Sequence, residues 1–498
     1  MSDHIIDEHL DPTAEITLEA VKQRAVKGVA ILTGRTFFLQ LLSFTTWIFL
    51  GVFLEPDEFG VYIVVSAIVN FLRYFSDVGL AAALIQKKQK LTQADLRSTF
   101  TIQQILVLGL LLILFLASPF IKDYYSLSKN GMLLLYALGA SLFLASLKTI
   151  PSVLLERELN FSKFVIPELL ENLVYDVILV IFAWRGFGTL SFFYAVLSRG
   201  IIGVVAMYLL KPWKPGLALS KSSLKKLLKY GVPYQVNTLL ATVKDDGMTI
   251  YLGGVIGQSA MGFLGWAQKW SQYPLRLFMD NVLKVTFPAF SRMQDDKIHL
   301  KRSVTRSIFF VCFLVFPSIV GFLILSPILV NIIPRYEKWE PALLPLAIVS
   351  INTIFAAATT QLTNLLNAIG KIKTTFKLMV MWTVLTWIFI PLLARNYGLV
   401  GAASGYALVG ASSAVAIAIV YKIINFSLYR SILAPALGAL VMGAACLTVR
   451  SILPSNIISV FILVLVGIAT YMATMFVLAG SAIFIDAKRG LKAMFNRN

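Results

Sequence analysis

The chain has 498 residues, 58% of them hydrophobic and only 14% charged, with a mean hydropathy of +0.79. Water-soluble domains run near about 45–50% apolar and about 25% charged, so this composition excludes a soluble enzyme. The formal charge of +19 would suggest nucleic acid in a soluble chain, but in a membrane chain it reads first as the cytoplasmic excess of Lys and Arg that sets topology.

The opening stretch from Met1 to Arg24 lacks the basic start, apolar core and cleavage site of a signal peptide. Residues 1–27 are expected to form a cytoplasmic tail. Within it Ile16, Leu18, Val21 and Ala25 would line one face of a short surface helix, a structureless tail being the alternative. Apolar runs of bilayer length follow at 28–54, 59–85, 99–121, 131–154, 164–184, 189–211, 230–256 and 260–286. Further runs lie at 304–325, 341–366, 374–394, 398–421, 430–450 and 457–484. The expected fold is therefore all-α and polytopic, with about fourteen transmembrane helices.

Basic residues concentrate in alternate connections, such as Lys87 to Arg97, Lys211 to Lys229 and the last residues from Lys488 to Arg497. That alternation places both termini in the cytoplasm and the Glu55-Pro56-Asp57-Glu58 loop on the other side. No connection is long enough for a soluble domain, which counts against a membrane glycosyltransferase or polymerase. No GxxxxGK[ST] loop is present, which counts against direct ATP drive. The two cysteines, Cys312 and Cys446, sit in apolar runs away from His4, His9 and His299 and read as core residues; neither a metal site nor a catalytic centre is expected.

A repeat divides the chain. Residues 51–62 (GVFLEPDEFGVY) align with 253–264 (GGVIGQSAMGFL), an offset of 202 that superposes Gly51 on Gly253 and Gly60 on Gly262. Just beyond, Leu72-Arg73-x-Phe75-x-Asp77 matches Leu275-Arg276-x-Phe278-x-Asp280. The copies fall six runs apart and so point the same way, a parallel repeat. The expectation is two pseudo-symmetric six-helix lobes, 28–211 and 230–421, joined by a basic cytoplasmic linker at 212–229. Two further helices within 430–484 and a cytoplasmic tail at 485–498 complete the chain. Two facing lobes suit a transporter that alternates access.

Ionisable residues inside apolar runs cost about 3 kcal/mol each and belong in a cavity or beside a partner. The candidate cationic lining is Arg35, Arg73, Arg199, Lys244, Lys269 and Arg276, with Lys284 near a span end. Candidate coupling or charge-balancing carboxylates are Asp77, Asp176, Asp245, Asp246 and Asp280. Arg73/Asp77 and Arg276/Asp280 stand at i,i+4 and would meet on one helix face. Such a cavity favours an anionic substrate, since field lines concentrate in a low-dielectric cleft and guanidinium forks fit phosphate. Proton or sodium coupling would need a cavity carboxylate, for which Asp176, Asp245 and Asp246 qualify by depth. Glu168 and Glu171 read as solvated residues at a helix end. Tyr74, Trp266, Trp270 and Tyr273 either stack on sugar rings or pack between helices.

LEPDEFGVYIVVSAIVNFLRYFSDVGLAAALIQKK at 54–88, LLERELNFSKFVIPELLENLV at 154–174 and Gly186-Phe187-Gly188 resemble, in order, signatures of the Wzx-type polysaccharide exporters. FPAFSRMQDD at 287–296, LLNAIGK at 365–371 and YGLVGAA at 397–403 continue the series. The Wzx family shares a superfamily with the MATE drug antiporters, and the colanic-acid and teichuronic-acid exporters are the subgroup resembled. The resemblance implies a MATE-like fold in the bacterial cytoplasmic membrane. It also implies a flippase that moves undecaprenyl-pyrophosphate-linked oligosaccharide to the outer leaflet for surface polysaccharide synthesis. Lipid-linked oligosaccharide, membrane lipid, the polysaccharide polymerase and chain-length machinery are the implied partners. No nucleic acid and no resident cofactor are implied. A cation-coupled MATE-type drug or metabolite antiporter and a non-transporting assembly scaffold are the alternatives.

Overall fold

Helix starts coincide with the caps written in the loops. Pro56 opens a helix whose Glu55 and Glu58 form a reciprocal capping box, with Asp57 and Glu58 in the first turn. Thr92 and Asp95 do the same at the next long helix, and Asp296 accepts from the N–H groups of Ile298 and His299 at a third. The computed structural model describes residues 18–87 and 89–480, and the chain divides into two units, Met1–Gly262 and Phe263–Asn498.

The first unit contains α1 (Leu18–Phe53), α2 (Pro56–Arg73), α3 (Leu80–Gln86), α4 (Gln93–Tyr124), α5 (Lys129–Arg157), α6 (Phe161–Trp184), α7 (Leu190–Leu210), α8 (Lys221–Thr242) and the start of α9 (Met248–Arg292). α8 packs on α3 and α4, so it belongs to this unit although it follows the stretch at 212–229. Leu84, Leu96, Ile150, Trp213 and Leu227 close one apolar core here.

The second unit contains the remainder of α9, α10 (Lys297–Ile332), α11 (Leu343–Ala368), α12 (Ile372–Ser412), α13 (Ala414–Ile424), α14 (Ala434–Arg450) and α15 (Ile457–Ala479). Its core centres on α10, where Ile308, Val311, Cys312 and Val315 are fully buried, and it takes in Cys446 of α14. Both cysteines are thus packing residues, as expected. The face proposed for Ile16, Leu18, Val21 and Ala25 lies outside the described side chains, as do residues 485–498.

Nine helical segments among the described residues are long and apolar enough to cross a membrane, and the chain is an all-α, multi-pass membrane protein. One segment, Ile372–Ile424, has 53 residues. A straight helix of that length would reach about 80 Å, far beyond a hydrocarbon core of about 30 Å. The chain instead doubles back at Gly398, whose φ of 55° and ψ of −130° are open to glycine but strained for other residues. Beyond the bend Gly405 lies against Ile390, where a Cβ would come 2.7 Å from the Ile390 Cα. The runs expected at 59–85, 164–184, 230–256 and 260–286 fall on helices that are broken or carry charges, outside the nine.

The repeated segments meet. A Cβ on Gly60 would overlap the backbone carbonyl of Gln258, and a Cβ on Gly262 would overlap that of Pro56. Under the offset of 202, Gly60 corresponds to Gly262 and Pro56 to Gln258, so each copy presents its glycine to the same position of the other. Small residues let helix backbones approach this closely.

Replacing Gly60 or Gly262 by Leu should therefore destabilise the protein by about 3 kcal/mol or more, because backbone on the far side cannot move aside. Gly109→Ala, which faces open space on α4, should be neutral or stabilising by up to about 1 kcal/mol. Thermal unfolding of the purified variants in detergent checks both outcomes.

Candidate functional site

Two breaks in the first unit lie together. α2 stops at Arg73, and Tyr74–Gly79 turn before α3 begins; Val78 and Gly79 have positive φ. Between α8 and α9 the five residues Val243–Gly247 form a wide helical turn, and this turn packs on α2. Irregular backbone at membrane depth survives only inside protein or beside a wet cavity. Gln235 of α8 meets this need at the first break: its side-chain amide donates to the Tyr74 carbonyl, and its own carbonyl accepts the Tyr74 hydroxyl. Wide turns of the second kind recur at functional sites.

The expected i,i+4 contact of Arg73 with Asp77 assumes an unbroken helix. Instead, the Asp77 carboxylate accepts from the Ala81 N–H at 3.1–3.2 Å and caps α3. Arg73 is open to solvent at the end of α2, and its charge is within reach of Arg199, Tyr62 and Asp246.

Arg199, on α7, is likewise exposed and lies within charge range of Arg73. Its Cζ stands 5.6 Å from the centroid of the Tyr175 ring on α6, and its Nε is 3.8 Å from Glu171 Oε2. Glu171 is only 7% exposed and also receives the ammonium of Lys148 from α5. Tyr175 donates to the Tyr62 hydroxyl at 3.1 Å, and Tyr62 stacks on Phe192 with ring centroids 4.0 Å apart. The wall is rigid, aromatic and hydrogen-bonded.

Glu168 and Glu171 are therefore not the solvated residues expected from their place near a helix end. Glu168 pairs with Arg35, and Glu171 is buried between two cations. Arg35 and Arg199 thereby have the carboxylate partners that sequence did not assign them, and Lys244 pairs with its neighbour Asp245. Asp246 is half-buried and within electrostatic reach of Arg73, while Asp176 is buried on α6. Of the six expected cations, the first unit brings Arg73, Arg199 and the Lys244 turn into one region, with Arg35 on the α6 side through Glu168.

Lys269 and Arg276 belong to the second unit. Lys269 is half-buried, and Arg276 is exposed and donates to Gln272 Oε1 at 3.1 Å. The Asp280 side chain lies outside those described. Trp266 and Trp270 are 2% and 6% exposed and stack on Trp339 and Phe322; they are packing residues and present no face to a sugar.

Lys148, Tyr62, Tyr175 and Gly203 escaped the sequence reading. A usable signal existed for part of the set: Glu168, Glu171 and Tyr175 fall at i, i+3 and i+7 on one face of α6, opposite Arg199 and Gly203 at i and i+4 on α7.

Two solved membrane proteins share this fold. A structure of the lipid II flippase MurJ in an inward closed conformation matches with a TM-score of 0.73 at 16% identity, covering 91% of this chain and 99% of that one. An inward-facing multidrug resistance MATE transporter matches with a TM-score of 0.60 at 13% identity, covering 78% and 94%. The fold is that of the MurJ and MATE proteins. Residues 49–344 match the polysaccharide biosynthesis protein family, and the chain belongs to it. The lipopolysaccharide biosynthesis protein WzxC of Escherichia coli K12 is 23% identical over 392 residues, 78% of this chain and 76% of that protein.

Arg35 and Glu168 are each less than a third exposed, so removing one strands the other. Arg35→Leu or Glu168→Leu alone should lower stability by about 1–3 kcal/mol, and the double replacement should recover most of that loss. Melting temperatures of the three variants, compared as a double-mutant cycle, provide the check.

Proposed function

We propose that this chain is a flippase. It carries undecaprenyl-pyrophosphate-linked oligosaccharide repeat units across the bacterial cytoplasmic membrane for surface polysaccharide synthesis. The single observation that carries this is a pair of exposed arginines, Arg73 where α2 breaks off and Arg199 on α7, close enough for their charges to interact. Two like charges held together in a membrane protein repel each other, and a doubly charged pyrophosphate relieves that repulsion. The family of polysaccharide biosynthesis proteins supports the reading, as do relatives named for lipopolysaccharide and succinoglycan biosynthesis and for lipid II flipping.

In this proposal the substrate leaves chemically unchanged, and no residue acts as a catalyst. Both termini lie in the cytoplasm, each of the expected apolar runs crosses the bilayer, and the chain carries two lobes, 28–211 and 230–421. Lys269 and Arg276 are the candidate cations of the second lobe. Asp176 and Asp246 are the carboxylates suited to proton or sodium coupling. The polymerase and chain-length machinery that consume the exported unit are the partners.

Vesicles reconstituted with the purified chain should move a fluorescent prenyl-pyrophosphate oligosaccharide from one leaflet to the other. Arg73→Ala and Arg199→Ala should each slow that movement at least about tenfold, the loss of one charge-assisted phosphate contact, while the proteins still insert and remain monodisperse. Full movement with both arginines replaced would overturn the proposal. Efflux of cationic dyes without movement of the sugar lipid would point to the antiporter alternative.

A further inference from the structure

The Nε edge of Arg199 faces a carboxylate, while its two Nη groups have no hydrogen-bond partner among the described residues. Its side chain is 44% exposed, against 10% for Glu171 and 18% for Lys148. The triad thus runs from a sheltered ammonium, through a sheltered carboxylate, to a guanidinium whose far edge is open. Tyr175 supports the guanidinium plane from one side, and Tyr62 holds Tyr175 in turn.

The backbone is shaped to the same end. A Cβ on Gly203, one turn beyond Arg199, would overlap the Glu171 carboxylate. Only glycine leaves that notch, and without it Glu171 could not reach between Lys148 and Arg199. A buried carboxylate needs compensation from every side, and here the compensation comes from two helices other than its own.

We propose that Glu171 is a positioning residue. Seated in the Gly203 notch and neutralised by Lys148, it holds the Nε edge of Arg199 so that the Nη edge is presented, pre-oriented, to an anionic headgroup. The inference rests on the functional reading above, since it assigns that headgroup to the pyrophosphate. A pre-oriented fork loses less entropy on binding than a free one. The lone Glu171 carboxylate serves two cations, so Arg199 keeps enough positive character to attract phosphate.

The full chain in lipid nanodiscs, titrated with farnesyl pyrophosphate and with farnesol as the uncharged control, tests the assignment through its tryptophan fluorescence or by calorimetry. Wild type should bind the pyrophosphate and prefer it to farnesol. Glu171→Gln keeps the shape of the side chain and removes its charge; it should bind about tenfold more weakly, the coupling expected of residues in contact. Gly203→Ala, which alters no charge, should produce a similar loss by expelling the carboxylate from its notch. In an Arg199→Ala background both losses should vanish, because no fork remains to be oriented, whereas damage of a general structural kind would persist.

Should Glu171→Gln prove too unstable to purify, Glu171→Asp retains the charge but withdraws it by one methylene and should lose affinity in the same Arg199-dependent way. Wild-type binding of pyrophosphate with Glu171→Gln equally tight or tighter, or with losses that add to that of Arg199→Ala, overturns the positioning role alone. A wild type indifferent to the pyrophosphate overturns the functional reading and this inference together.

Discussion

A charge taken out of water must find a partner, and in the first unit that requirement decides which helices lie beside which. Helix faces of Leu, Ile and Val are nearly interchangeable inside a bilayer, because lipid tails are as apolar as they are. Ion pairs are not interchangeable. Glu168 joins α6 to α1 through Arg35, Glu171 joins it to α5 and α7 through Lys148 and Arg199, and Glu158 joins the end of α5 to the end of α7 through Lys211. Arg157, beside Glu158, donates to the carbonyls of Leu84, Ile85 and Lys87 and closes the C-terminus of α3. The motif at 154–174 is in physical terms a strip of charges that stitches five helices together.

The broken ends of α2 and α8 lie outside that stitching. The ends of α2 and α8 give up regular hydrogen bonding where Arg73, Lys244, Asp245 and Asp246 reside, and a side-chain amide restores part of what is lost. Polar backbone and charged side chains at one depth reinforce each other, since both require water or a polar ligand. The glutamates lie against cations, while the Arg73 guanidinium and the far edge of Arg199 stay exposed. Burial and partner thus separate the enclosed charges of this unit from the exposed ones.

Sequence made the helices legible because apolar length and capping are local properties. Pro56 with Glu58, Thr92 with Asp95, and Gly398 at the hairpin are each written within a few residues of the feature they create. The repeat at 51–62 and 253–264 was also visible, and its glycines found their reason in a close crossing. Pairing was not legible: Arg35 and Glu168 are separated by 133 positions, and nothing local marks them as partners. The Arg73–Asp77 pair failed for the opposite cause, a local rule applied across a helix that ends at the first of the two. Trp266 and Trp270 show that an aromatic next to charged residues in sequence can still be turned wholly into the core.

The crossing of the repeated segments is reciprocal. Gly60 meets the position equivalent to Pro56, and Gly262 meets Pro56 itself, the reciprocity by which a two-fold homodimer joins its subunits. A half-length chain pairing with its own copy would satisfy both contacts with one glycine used twice. A side chain on either glycine would push the two segments apart.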